Sequence, residues 1–150
     1  MTGTTDLLLA IVHHLLAFGL AAVLAAEFVL TAPGLTGAGL KWLQRLDRYY
    51  GALAGLLIVI GVLRVIYGAK GPDFYLASHA FWAKMAAFAA VGLLSIAPTV
   101  WILGWGRRAK ADVGYAVPAE EARALRKYFV AQIVVFASIP VFAAVMARGG

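Results

Sequence analysis

The sequence lacks cysteine altogether, so it offers neither a disulfide framework nor a thiolate metal site. Charge is scarce as well, since 13% of the 150 residues are Asp, Glu, Lys or Arg, against about a quarter in soluble domains. Hydrophobic residues make up 63% of the chain, which excludes a disordered protein and an ordinary soluble domain. These proportions predict a small integral membrane protein, and the length allows one domain.

Four apolar segments are each long enough to cross a bilayer as a helix, for which about 20 mainly apolar residues are needed. They cover roughly residues 7–32, 49–68, 81–103 and 128–146. None of them alternates in the manner of a membrane β-barrel strand. We therefore expect an all-α integral membrane protein in which residues 1–150 form a single domain, a bundle of four transmembrane helices.

The basic residues outside these segments fall mostly on one side of the membrane. Nine of them occupy the connections after the first and third segments: Lys41, Arg45, Arg48, Arg107, Arg108, Lys110, Arg123, Arg126 and Lys127. The opposite side carries only Lys70 and Arg148. The positive-inside rule then predicts that both termini are outside and that the two basic connections are cytoplasmic. The net charge of +6 indicates contact with anionic lipid and not with nucleic acid.

Ionisable residues inside a span are costly to place in a membrane and are functional candidates by default. Counting about 1.5 Å per residue along each helix brings five such residues from three segments to one layer near the outer face. They are His13, His14, Arg64, His79 and Lys84. Glu27 lies about 21 Å from His13 along the helix axis and is excluded from this layer.

Histidines without cysteine, and with a single distant carboxylate, make a poor zinc or di-iron site, whereas haem needs only one or two axial ligands. His13, His14 and His79 are therefore the candidate iron ligands. His13 and His14 point about 100° apart, so only one of them can face a given ligand. The small residues Ala21 and Ala25 on the face of His14 slightly favour His14, without settling the choice.

A bound haem also requires cations near the membrane surface to meet its two propionates. Arg64 and Lys70 are predicted to supply them, and Tyr67 lies in the same layer as a further cofactor contact. Lys84 and His79 are the candidate catalytic residues, each also a candidate for the position opposite the first ligand.

Each of these residues also has a structural interpretation. Lys84 and Arg64 can extend to the membrane surface, and His79 can be a solvated loop residue. His13 or His14 can be hydrogen-bonded to a neighbouring carbonyl group. The small-residue pattern Gly51-x-x-x-Gly55 favours close helix packing over a cofactor slot.

The chain resembles an uncharacterised group of four-span bacterial membrane proteins. The resemblance rests on the His13-His14 pair, on Tyr49-Tyr50-Gly51, on Gly71-Pro72-Asp73-Phe74-Tyr75 and on the stretch from Phe81-Trp82-x-Lys84 to Gly92-Leu93-Leu94-Ser95. More distantly, the early histidine, Arg48-Tyr49-Tyr50-Gly51, Trp82 and Lys84 resemble the small haem-containing protoporphyrinogen IX oxidase family of bacterial membranes. That resemblance implies haem b as a cofactor. Both resemblances imply a bacterial protein of the cytoplasmic membrane, with its termini in the periplasm. Trp82 stands where that family usually has a histidine, so the resemblance implies haem binding more than the oxidase reaction.

The leading hypothesis is therefore a haem b-binding membrane protein with a redox or electron-transfer role at the outer leaflet. Quinone is the expected electron partner, and a porphyrin-like substrate is implied by the resemblance. One alternative is a cofactor-free small-molecule or proton-linked transporter, with Glu27 continuing its path inward. Another is a structural subunit of a membrane complex, and glycine-rich helix faces such as that of Gly51 and Gly55 predict a homo-oligomer.

Overall fold

The computed structural model describes residues 3–148, and in that range the chain forms five α-helices and no strand. The helices are α1 (Gly3–Leu30), α2 (Gly37–Tyr67), α3 (Gly71–Ala77), α4 (His79–Ala111) and α5 (Ala119–Ala147). All except the short α3 are long and apolar enough to cross a membrane. The predicted all-α fold with four spans is confirmed, while the side on which the termini lie stays a prediction.

The helices extend beyond the predicted spans on the side that carries the basic residues. Helix α2 begins at Gly37, α4 continues to Ala111, and α5 begins at Ala119. These extensions are rich in Leu, Lys, Arg, Gln and Ala, which favour helix, so the helices continue where hydropathy alone ends. Helix α3 was not expected from hydropathy, because it is only seven residues long; Pro72 near its start is well suited to the first turn.

Helix α1 packs mainly on α2 and α4 mainly on α5, and contacts between α2 and α4 and between α1 and α5 join the two pairs. The buried core lies mostly toward the end of the bundle that carries the basic residues. Its most deeply buried apolar side chains include Leu20, Leu24, Leu43, Ile102, Trp105, Leu125 and Phe129.

Two connections close this end of the bundle through backbone hydrogen bonds. The Gly34 N–H donates to the Val117 carbonyl, and the Val117 N–H donates to the Leu35 carbonyl, each over 3.0 Å. The guanidinium of Arg126 donates to the carbonyl oxygens of Phe28 and Thr31 at the C-terminal end of α1, over 2.8 and 2.9 Å. Carbonyls that lack helical partners are thereby satisfied, which holds α1 against α5.

Gly51 and Gly55 are exposed on α2, and a Cβ built on either would meet no atom within 4 Å. The predicted close packing at this pattern is therefore not made within the described chain. Pairing of this face with a second copy stays a prediction.

Candidate functional site

A cavity of about 400 Å³ lies between the helices at the end of the bundle that holds α3. We call it the outer cavity, after the side on which the charge distribution predicts it. Its walls come from all five helices and are mostly apolar. The exposed side chains Ile58, Val62 and Trp82 form part of its lining, so an apolar molecule has access to it from the lipid side of the bundle.

His13 lines the outer cavity and is only partly exposed, and its Nδ1 is buried with no hydrogen-bond partner. A Cβ built on Gly61 of α2 would lie 3.7 Å from His13 Cε1. The glycine therefore leaves room for the imidazole between α1 and α2. A buried polar nitrogen without a partner is costly, and it is the kind of atom that a ligand satisfies.

His14 is placed differently from its neighbour. It is exposed, and its Nδ1 lies 2.6 Å from the Ala10 carbonyl oxygen one turn earlier. The two imidazole rings are nearly perpendicular, with centroids 6.1 Å apart. The slight preference for His14 from its small-residue face therefore does not match the geometry, because His13 is the histidine that lines the cavity.

Two cations line the outer cavity beside His13. Arg64 comes from α2 with its Nε buried and without a partner, and Lys84 comes from α4 with its Nζ 5.5 Å from the centroid of the Phe81 ring. Within residues 3–148 neither of them forms an ion pair. The cavity thus combines an apolar wall with positive charge that no acidic side chain of the described chain neutralises.

The other predicted site residues do not line the outer cavity. Tyr67 is 47% exposed, His79 is exposed at the start of α4, and Lys70 places its Nζ 4.2 Å over the ring of Phe74. In the described range, no three or more His, Asp or Glu side chains are grouped so that they could hold a metal ion. The three histidines therefore do not form a metal site by themselves. Hydropathy reasoning also missed three lining residues with donor atoms, Tyr75, Met85 and Met146.

A second polar group lies in the other half of the bundle, between four helices. We call it the inner cluster: Glu27 of α1, Asp47 and Tyr50 of α2, Thr99 of α4 and Gln132 of α5. Thr99 Oγ1 donates to Asp47 Oδ1 over 2.7 Å, and the Tyr50 hydroxyl donates to Gln132 Oε1 over 3.2 Å. Glu27 and Gln132 are 2% and 1% exposed, so these two side chains are closed to solvent, while Thr99 is partly exposed.

The sequence contains a signal for the α2 part of this cluster. Leu40, Leu43, Asp47, Tyr50 and Leu57 are all buried, and the intervals of three, four and seven residues place them on one helix face. Asp47 therefore lies on the buried face of α2, among residues that are otherwise mostly apolar. It was missed because the second span was expected to begin only at residue 49, which left Asp47 among the connecting residues.

The fold and the two polar sites define a four-span helical membrane protein whose bundle contains a cation-lined cavity and, separately, buried carboxyl groups. The chain matches the family described as predicted membrane protein (DUF2214) over residues 5–150, and it belongs to that family. No curated protein and no solved structure matches it. The family supports the membrane assignment and gives no support to the resemblance with the haem-containing oxidases.

Proposed function

We propose that the outer cavity binds haem b and that the protein has a redox role at the outer leaflet. The observation that carries the proposal is the buried Nδ1 of His13, which lacks a partner in the wall of the cavity. An imidazole is the commonest protein ligand of haem iron. The volume of about 400 Å³ lies in the range of about 300–1,000 Å³ that small-molecule pockets occupy.

The lining of the outer cavity suits both the apolar macrocycle and the carboxylates of a haem. The apolar side chains from α2 and α4 suit a macrocycle, and Arg64 and Lys84 suit its two carboxylates. Burial of the carboxylates beside these cations also relieves the cost of two unpaired positive charges inside a membrane. The lining thus favours an anionic amphiphile over a neutral lipid.

His13 would hold the iron, and the guanidinium of Arg64 would donate to a propionate. Met85 and Met146 would be further candidates to hold the iron, and Lys84 would pair with the second propionate. When bound, the haem would supply one-electron redox chemistry, with quinone as the expected partner. His13 would fix the position of the cofactor, and the apolar wall would exclude water from it.

The optical spectrum of the full-length protein tests this proposal. The chain is expressed with haem supplied, purified in detergent, and measured for a Soret band and for its reduced-minus-oxidised difference. We expect His13→Ala to lose nearly all bound haem, whereas His14→Ala, its matched neighbour, retains it. A wild-type protein without a Soret band, or equal loss in both variants, contradicts the proposal.

A second pair of variants tests the cations. Arg64→Gln is expected to lower haem retention, whereas Lys70→Gln leaves it unchanged, because Lys70 contacts Phe74 outside the cavity. Equal retention by both variants removes the assigned role of Arg64. If no haem binds and a long-chain carboxylic acid binds instead, the cavity belongs to the cofactor-free carrier, the second candidate.

A further inference from the structure

Glu27 and Asp47 are two carboxyl groups buried in the inner half of the bundle, and neither lines the outer cavity. Glu27 is 2% exposed and Asp47 is 9% exposed, and each belongs to a different helix of the α1–α2 pair. A carboxylate inside a membrane is costly unless a partner compensates its charge. A pair of them without such a partner therefore requires an explanation.

The hydrogen bonds of the inner cluster leave one acceptor and one donor unused. Asp47 accepts a hydrogen bond from Thr99, and Gln132 accepts one from Tyr50. Glu27 Oε1 and Gln132 Nε2 are both buried, and neither has a partner within residues 3–148. Buried polar atoms are almost always satisfied, so these two atoms indicate that the cluster holds something more than its own side chains.

No positive charge of the described chain compensates the pair. The titratable groups that interact with one another here are Glu27, Asp47 and the Tyr50 hydroxyl. Helices α4 and α5 contribute the uncharged Thr99 and Gln132. Arg126, a nearby basic residue of α5, donates to the backbone of α1 and stacks at 4.0 Å on Phe28. The one ion pair found in residues 3–148 joins Arg108 to Glu121.

A proton reduces the negative charge of such a pair more readily than a metal ion does. Two nearby carboxylates in an apolar environment cannot both ionise without a large cost, so one of them takes up a proton. The described residues offer no group of three or more His, Asp or Glu side chains suited to a metal. Asp47 already accepts a hydrogen bond that stabilises its carboxylate, whereas Glu27 Oε1 accepts none.

We propose that Glu27 and Asp47 form a proton-binding site that holds one exchangeable proton on Glu27. A proton from water adds to a carboxylate oxygen of Glu27, and the charge of the pair changes from −2 to −1. Release returns the proton to water, and no electron moves. A buried water molecule that accepts from Gln132 Nε2 and contacts Glu27 satisfies the two unused atoms. The site is independent of any ligand in the outer cavity.

Infrared spectroscopy of the full-length chain in lipid nanodiscs tests the site directly. A protonated carboxyl group gives a C=O stretch that a carboxylate lacks, and this band shifts in heavy water. We expect such a band at neutral pH and its loss at alkaline pH. Glu27→Gln is expected to remove it, and the matched variant Glu120→Gln, at an exposed position, is expected to leave it unchanged.

Isotope labelling makes the test independent of how well the variants fold. The chain has three glutamates, Glu27, Glu120 and Glu121, so ¹³C-carboxyl glutamate in the wild-type protein separates them from every aspartate. We expect the label to shift the band and Thr99→Val to alter its position. A neutral-pH spectrum without a protonated carboxyl band overturns the proposal. A band that disappears on replacing choline by sodium at equal ionic strength also overturns it, because it assigns the site to a metal cation.

Discussion

At the scale of the single residue, the Tyr50 hydroxyl is the donor that connects α2 with α5. It donates to Gln132 Oε1, and the Gln132 side chain is 1% exposed, so bulk solvent cannot replace the lost donor. We expect Tyr50→Phe to lower the free energy of unfolding by about 0.5–2 kcal/mol, the range of hydrogen bonds between membrane helices. Unfolding in mixed detergent micelles with increasing SDS measures it. Tyr49→Phe is the control, because Tyr49 is 58% exposed; an equal effect of the two substitutions contradicts the assigned bond.

The sequence predicts the charged residues of the outer cavity better than those of the inner cluster. His13, Arg64 and Lys84 stand out because ionisable residues are rare within apolar segments, and depth along a helix follows from the rise per residue. The structure brings these three together at one cavity. Which of two adjacent histidines faces inward depends on the rotation of α1 against α2, and composition does not determine that rotation. Asp47 lies in the basic part of α2, where a charged residue is unremarkable.

At the scale of the element, helices α4 and α5 are joined near their connection by one carboxylate. Glu121 accepts from Trp105 Nε1 over 2.6 Å and pairs with Arg108 over 2.8 Å. Trp105 is 1% exposed, so its indole N–H depends on this acceptor. Hydropathy predicts only the apolar parts of these helices, whereas the polar extensions that carry these residues follow from helix propensity and from packing between α4 and α5.

Replacement of Glu121 tests this link between α4 and α5. We expect Glu121→Ala to lower the free energy of unfolding by about 1–2 kcal/mol, since it leaves a buried donor unpaired. Glu120→Ala is a matched control in the same first turn of α5, because both substitutions remove one negative charge near the N-terminus of the helix. Unfolding with increasing SDS in mixed detergent micelles measures the free energies of unfolding of the two variants. If Glu120→Ala costs as much as Glu121→Ala, the effect belongs to the helix terminus and not to Trp105.

Gly68 lies in the turn between α2 and α3, where there is no room for a side chain. A Cβ at this position would collide with the Arg64 backbone carbonyl and would lie 3.3 Å from both Asp6 Oδ1 and the Tyr75 hydroxyl. We expect Gly68→Ala to destabilise the chain by about 1–3 kcal/mol, because a backbone atom cannot yield as a side chain does. Gly92→Ala, at an exposed helical position with no atom within 4 Å, is expected to be neutral or stabilising by up to about 1 kcal/mol. Thermal unfolding in detergent compares the variants; equal melting temperatures contradict the expected collision.

At the scale of the whole molecule, the two polar sites lie in different halves of the bundle and differ in the sign of their charged groups. Within residues 3–148, the cations of the outer cavity form no ion pair with an acidic side chain, and the carboxyl groups of the inner cluster form none with a basic one. The outer cavity therefore suits an anionic amphiphile, and the inner cluster suits a proton. Which end faces the cytoplasm decides from which compartment each ligand comes.

The orientation can be tested with single cysteines, because the chain contains none. Nine basic residues flank the spans on one side and two on the other, so we expect the α2–α3 connection to be outside and the α4–α5 connection to be inside. Ala69→Cys and Val113→Cys place thiols at exposed positions of these two connections. A membrane-impermeant maleimide added to intact cells should label Ala69→Cys, and Val113→Cys only after the cells are permeabilised. The reverse pattern would invert the topology and would place the proposed proton site near the outer face and the cation-lined cavity near the inner one.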